Sequence, residues 1–129
     1  MLTRILLYLK HHTPFIWSVI EKLNSWLFKL LYETKFNEVS RKVIAENHLN
    51  NIQFRSLAFS DLTLLHSLIQ KQFPEDLIYF KPHGFDEKSL LRTFNNPSFL
   101  MMGAFVEGEM KGYYFLRCFW TRKCFVGRL

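Results

Sequence analysis

Along residues 14–33 apolar side chains recur at three-and-four spacing: Ile16, Val19, Ile20, Leu23, Trp26, Leu27, Leu30 and Leu31. That period belongs to a helix with a buried face. Thr13 stands at the cap position and Pro14 in the first turn, where its missing N–H removes no helical bond. Phe15, Trp17, Phe28 and Tyr32 widen the stripe and leave a narrow polar face of Glu21, Lys22, Ser25 and Lys29. On this reading the helix buries most of its girth and turns the four polar residues to water. A second helix is expected over 36–47, where Phe36, Val39, Val43 and Ile44 keep the register, and the polar segment 48–51 ends it. Near residue 50 the hydrophobic period changes from helical to alternating. The chain therefore divides into a helical N-terminal extension, residues 1–50, and a mixed region, residues 51–129.

The mixed region opens with a short strand, in which Ile52, Phe54 and Ser56 alternate with Gln53, Arg55 and Leu57. Ser60 and Asp61 cap a following helix whose buried face is Leu62, Leu65, Leu68 and Ile69, and which Phe73 and Pro74 stop. A loop is expected over 74–85. Asp86 and Glu87 then start another helix, with Leu90, Leu91 and Phe94 inside and Asn95, Asn96 and Pro97 at its end. Phe99–Val106 is an almost unbroken apolar run; Glu107 and Gly108 form a turn, and the aromatic-rich segment 110–120 follows. This is the pattern of two buried strands joined by a tight hairpin. A further break at Thr121 and Arg122 leads into a third antiparallel strand over 123–129. The fold class is α+β: a helical extension followed by β-α-α-β-β-β with a mainly antiparallel sheet.

Composition sharpens one point. Of 129 residues, 49% are hydrophobic and 22% charged, enough for one folded domain, but 17% are aromatic, which is heavy for so short a chain and implies a surface awaiting a cover. For the helix at 14–33 three covers are open: the rest of the domain, a second copy of the chain, or a membrane surface met by Trp at the boundary and Lys on the wet side. Glu21 on the polar face counts against the last. The formal charge of +6 is spread over both halves except in 111–129, where Lys111, Arg117, Arg122, Lys123 and Arg128 meet no acid. No nucleic-acid-binding motif accompanies these bases, so a nucleic-acid partner is not expected. Two cysteines, Cys118 and Cys124, are too few for a secreted disulfide scaffold and point to reduced thiols and a cytoplasmic setting, with a membrane-peripheral variant through 14–33. No Cys or His spacing matches a zinc site, and the adjacent His11 and His12 do not readily converge on one ion, so no metal is expected. The apolar run after Arg4 is broken by Lys10, His11 and His12, too short for a secretory signal, and Glu21, Lys22 and Lys29 break the next candidate for a membrane span.

The order strand, helix, loop, helix and three-strand meander resembles the opening of the GNAT superfamily of N-acetyltransferases. The residues that carry the likeness are Ile52, Gln53, Phe54 and Arg55 followed by Ser60, Asp61 and Leu62, then the hairpin from Gly103 through Glu107, Gly108 and Gly112 to Tyr113. The likeness covers 51–129 and leaves 1–50 unexplained. It implies acyl transfer from acetyl-CoA to an amine. The family's decisive motif, an Arg/Gln-x-x-Gly-x-Gly/Ala loop whose backbone N–H groups and helix N-terminus hold the cofactor pyrophosphate, is not found: Gly103, Gly108, Gly112 and Gly127 complete no such spacing. The resemblance is therefore to the N-terminal half of the domain. A chain of this kind is expected to be catalytically incompetent alone, to bind acetyl-CoA poorly, and to need the C-terminal half or a second copy as partner.

In that family the loop between the two helices helps to shape the acceptor pocket, which makes Phe80, Lys81, His83 and Phe85 the candidate acceptor contacts. Without that role, Pro82 and Gly84 fix a turn, the two Phe rings pack inward, and His83 is exposed. No catalytic base is assigned, because no acid lies in 110–129 and Glu107 and Glu109 belong to a solvated turn. Unpaired, the strand over 123–129 would be an exposed edge with Phe125 and Val126 on show.

Overall fold

The computed structural model describes residues 4, 5, 8, 13–47, 49–78, 80 and 83–129. Its elements are helix α1 (Pro14–Glu46), strand β1 (Gln53–Ser56), helix α2 (Leu62–Gln70), the one-turn helix α3 (Pro74–Leu77), helix α4 (Glu87–Phe94), and strands β2 (Phe99–Val106), β3 (Glu109–Cys118) and β4 (Cys124–Arg128). The class is α+β, with four strands in the spatial order β1-β2-β3-β4 and every pairing antiparallel. The expected loop over 74–85 contains α3, which Pro74 starts from the first helical position.

The β2–β3 hairpin turns on two residues, Glu107 at φ 51° and Gly108 at φ 81°, the left-handed pair that matches the twist of the flanking strands. Three residues later the register shifts: Ala104 faces Gly112 while Phe105 faces Met110, so Lys111 is the extra residue of a β-bulge. The bulge reverses the alternation of β3. Met110, Tyr113 and Phe115 consequently all reach the same core, although their numbers differ in parity, where they meet Met101 and Phe105 of β2. Leu65 and Ile69 of α2 and Leu90 of α4 close this core from outside the sheet. Leu65, Leu90, Tyr113 and Phe115 have no exposed surface. Asp61 anchors the start of α2: it accepts from the Ala58 N–H at 2.7 Å and from both terminal nitrogens of Arg55, at 2.6 and 2.9 Å. Arg55 also lies over the Phe105 ring, 4.0 Å from its centroid.

Among the described residues β4 pairs with β3 alone, and Phe125 and Val126 are exposed, as the edge-strand reading expects. Its Gly127 lies beneath Phe115; a Cβ there would fall 2.1 Å from the ring.

The N-terminal segment departs from the sequence reading twice. In place of the two helices expected over 14–33 and 36–47 there is one continuous helix, Pro14–Glu46, because nothing between Glu33 and Phe36 breaks it: Thr34 and Lys35 carry no glycine or proline penalty. The burial of that helix is also inverted. The stripe of Ile16, Val19, Ile20, Leu23, Trp26, Leu30 and Leu31 is exposed, and the side that meets the domain is the one bearing Glu21, Asn24, Ser25 and Phe28. Lys22 and Lys29 remain exposed as expected.

The reason lies in what the domain presents to the helix. α1 crosses the end of the sheet where β2 begins and β3 finishes, and that end offers backbone groups rather than apolar side chains. Asn24, only 7% exposed, donates from Nδ2 to the Cys118 carbonyl at 3.2 Å and accepts the Trp120 N–H at 3.1 Å. Ser25 donates to Asn96 Oδ1 at 2.6 Å, an oxygen that also accepts the Ser98 N–H and hydroxyl. Glu21 pairs with Arg117. Phe28 is the one large apolar side chain buried on this helix, in edge contact with Phe36 and tilted contact with Tyr32. Buried polar backbone groups need partners more than apolar ones need cover, so the helix docks through its hydrogen-bonding side.

Candidate functional site

Between the first turns of α1 and the domain lies a cleft of about 460 Å³, the size of a small-ligand pocket. Trp17, Glu21 and Ser25 form its helical wall; His83, Ser89, Thr93 and Asn96 form the opposite wall, with Phe99 and Arg117 at the sheet end. Lys22 and Arg92 also line it, so its charge is net basic once Glu21 and Arg117 have paired.

The His83 wall is built by α4. Asp86 caps that helix, accepting the Ser89 N–H at 3.0 Å and the Ser89 hydroxyl at 2.6 Å. Ser89 in turn leaves no room for a side chain at Gly84: a Cβ there would lie 2.5 Å from Ser89 Oγ. The turn is thus clipped to the helix, and the neighbouring His83 is aimed at the sheet. Its Nδ1 lies 2.8 Å from the Gly84 carbonyl oxygen and its Nε2 3.0 Å from the Tyr113 hydroxyl. A carbonyl only accepts, so Nδ1 carries the proton and Nε2 accepts from Tyr113. Burial supports the same state. It pushes His83 below its ordinary value of 6.5, keeping the ring neutral, and pushes the Tyr113 phenol far above its usual range, keeping the hydroxyl protonated.

Aromatic rings surround this pair. Phe80 and Phe85 stack with centroids 6.1 Å apart, Phe80 meets Tyr113 and Phe115 edge-on, and His83 meets Phe85 and Phe115 the same way. Of the four candidate acceptor contacts, the fold brings Phe80, His83 and Phe85 into one cluster against β3. Only His83 reaches the cleft; Phe80 and Phe85 support it from the core side. Lys81 lies outside the described residues, as do His11 and His12. The reading of an exposed His83 is corrected: it is half-buried, because Tyr113 supplies a partner that no sequence pattern reveals.

Arg117 and Glu21, 96 positions apart, join the site through tertiary structure alone. Arg117 packs between Phe99 and Phe119, 5.6 and 5.1 Å from their centroids, and among the described residues its buried Nε has no hydrogen-bond partner. Glu107 and Glu109 stand at the far hairpin, exposed, with Glu109 paired to Lys111. Cys118 and Cys124, which the sequence places on consecutive strands without fixing their pairing, are cross-strand partners with sulfurs 3.0 Å apart. Among the described residues no group of three or more His, Cys, Asp or Glu side chains could hold a metal ion.

The arrangement can bind and orient a small polar ligand. Both His83 nitrogens are engaged, so the ring offers the cleft an aromatic edge rather than a free lone pair. No family model, no curated protein and no solved structure matches this chain.

Proposed function

We propose that residues 51–129 are the acceptor side of a GNAT-type N-acetyltransferase domain. Such a domain moves an acyl group from acetyl-CoA to an amine; residues 51–129 carry no glycine spacing of the pyrophosphate-binding kind, so in this proposal they supply the acceptor side and not the cofactor seat. The observation that carries the reading is the order of residues 51–129, a strand, the two helices α2 and α4 with the one-turn α3 between them, then three strands, in an antiparallel sheet ordered β1-β2-β3-β4. In this proposal β4 is the edge on which the cofactor half assembles, and its unpaired side is the seam. The acceptor enters the cleft between α1 and α4, where His83 bounds it and the Phe80–Phe85 stack holds His83 in place. A catalytic base is not among these residues: Glu21 is held by Arg117, and His83 by Tyr113 and Gly84.

Two measurements test this. Translation of the DNA following codon 129, in every frame, is expected to reveal an Arg-x-x-Gly-x-Gly-type loop leading into a helix; its absence overturns the acyltransferase reading. Calorimetric titration of acetyl-CoA into the folded chain is expected to give no saturable heat, and no rise in thermal stability. Saturable binding at micromolar concentration would overturn the claim of incompetence, because a cofactor seat would exist without the loop.

A second reading, a non-enzymatic interaction module, is favoured by the exposed apolar side of α1 and by Phe125 and Val126 on β4.

A further inference from the structure

Independently of the acyl-transfer reading, we infer that the outward face of α1 between residues 15 and 31 is a docking surface for an anionic lipid bilayer. The face is made of side chains that the helix has no need to expose. Phe15, Leu23, Trp26 and Leu30 are each more than half exposed, and Ile16 and Val19 lie between them. The 100° step of the helix places these residues on the side opposite Glu21, Asn24 and Phe28, which hold α1 to the domain. At 1.5 Å per residue the face runs for roughly 25 Å, and it amounts to several hundred Å² of contiguous apolar surface, the size that marks an interaction site. It stops where Glu33, Glu38 and Arg41 appear, so the apolar surface is confined to the first half of the helix.

The charges select the occupant. Between residues 14 and 32 the only charged side chains are Glu21, Lys22 and Lys29. Glu21 points inward to Arg117, which removes the one acid that argued against a membrane from sequence. Lys22 and Lys29 are both exposed and, seven residues apart, fall on the same edge of the apolar face; the other edge has no acid. A second copy of α1 packed antiparallel would set lysine against lysine, and packed parallel would set each lysine beside an apolar residue. A bilayer of anionic lipid meets both demands. Its acyl region covers the apolar side chains, its headgroups neutralise the lysines, and the boundary accepts the Trp26 indole N–H. No helix among the described residues is long and apolar enough to cross a membrane, so the contact is with the surface.

The test uses the full chain with phosphatidylcholine vesicles, plain or doped with phosphatidylserine. Sedimentation with the doped vesicles is expected to be saturable and at least about tenfold stronger than with plain ones, since each lysine adds its own attraction to the anionic surface. Leu23→Glu combined with Leu30→Glu is expected to abolish binding; both side chains point away from the domain, so an unchanged circular dichroism spectrum certifies the fold. Lys22→Gln combined with Lys29→Gln, which leaves the apolar face intact, is expected to remove the preference for phosphatidylserine. A chain that stays in the supernatant with doped vesicles overturns the inference, as does binding that survives the Leu23/Leu30 change. So does a stable dimer in vesicle-free light scattering that the same change dissolves, which would assign the face to a second copy.

Discussion

Replacing Asn24 by Ala should loosen α1 from the domain without unfolding the sheet. Two bonds are lost. The Cys118 carbonyl is deeply buried, since Cys118 is 1% exposed, and it loses its donor with no water to replace it. An orphaned buried acceptor of this kind costs about 1–3 kcal/mol. The Trp120 N–H sits on a residue that is 49% exposed, so water reaches the site and the loss there is nearer the ordinary net worth of a hydrogen bond, about 0.5–1 kcal/mol. Together the change amounts to about 1.5–4 kcal/mol, placed at the helix–sheet joint. Native-state hydrogen exchange read by NMR locates it. In Asn24→Ala the amides of α1 and Trp120 should exchange at least tenfold faster, while those of β2 and β3 keep their protection. Urea titration should show the same loss in the signal of the helix. If protection at Trp120 and along α1 is unchanged, the polar seam is not what holds the helix, and the inverted orientation of α1 loses its physical basis.

Three further outcomes follow from single contacts. Gly127→Ala drives a methyl group into the Phe115 ring and should destabilise the chain by about 1–3 kcal/mol, read as a lower urea midpoint; an unchanged midpoint would mean that β4 does not lie over Phe115. His83 is neutral when folded because burial depresses its pKa, so protonation favours the unfolded chain. The stability it contributes is complete above 6.5 and is lost as pH falls from there through its folded value, and His83→Gln should flatten the fall in midpoint between pH 7.5 and 5.5. Cys118 and Cys124 should close to a disulfide with the loss of two hydrogens when a peroxide accepts the electrons. Mass spectrometry after peptide digestion checks this, and a chain that keeps two alkylatable thiols refutes their cross-strand placement.

Much of the fold was legible because its signals are local. The Glu107–Gly108 turn needs residues that tolerate positive φ, Phe99–Val106 is apolar enough to be a central strand, and Asp86 sits three residues before the N–H it caps. The site was legible only in part. Phe80, His83 and Phe85 stood out as a segment, but that His83 is half-buried and neutral depends on Tyr113, 30 positions away. The bulge at Lys111 decides which face Met110 occupies, and the hairpin after β3 decides that Cys118 meets Cys124. Neither register is encoded in composition or period.

The orientation of α1 marks the division most clearly. Sequence alone determines that residues 14–33 and 36–46 are helical and that the first stretch carries apolar side chains around most of its girth, since both period and propensity are properties of the segment; that the two stretches join into one helix is seen only in the structure. Which side faces the domain was decided by tertiary structure. The end of the sheet presents a carbonyl at Cys118, an N–H at Trp120 and a guanidinium at Arg117, and only the side bearing Asn24 and Glu21 can satisfy them. Apolar surface can be covered by many partners, whereas a buried hydrogen-bonding group accepts few, so the polar side fixes the orientation and the apolar side is left facing outward.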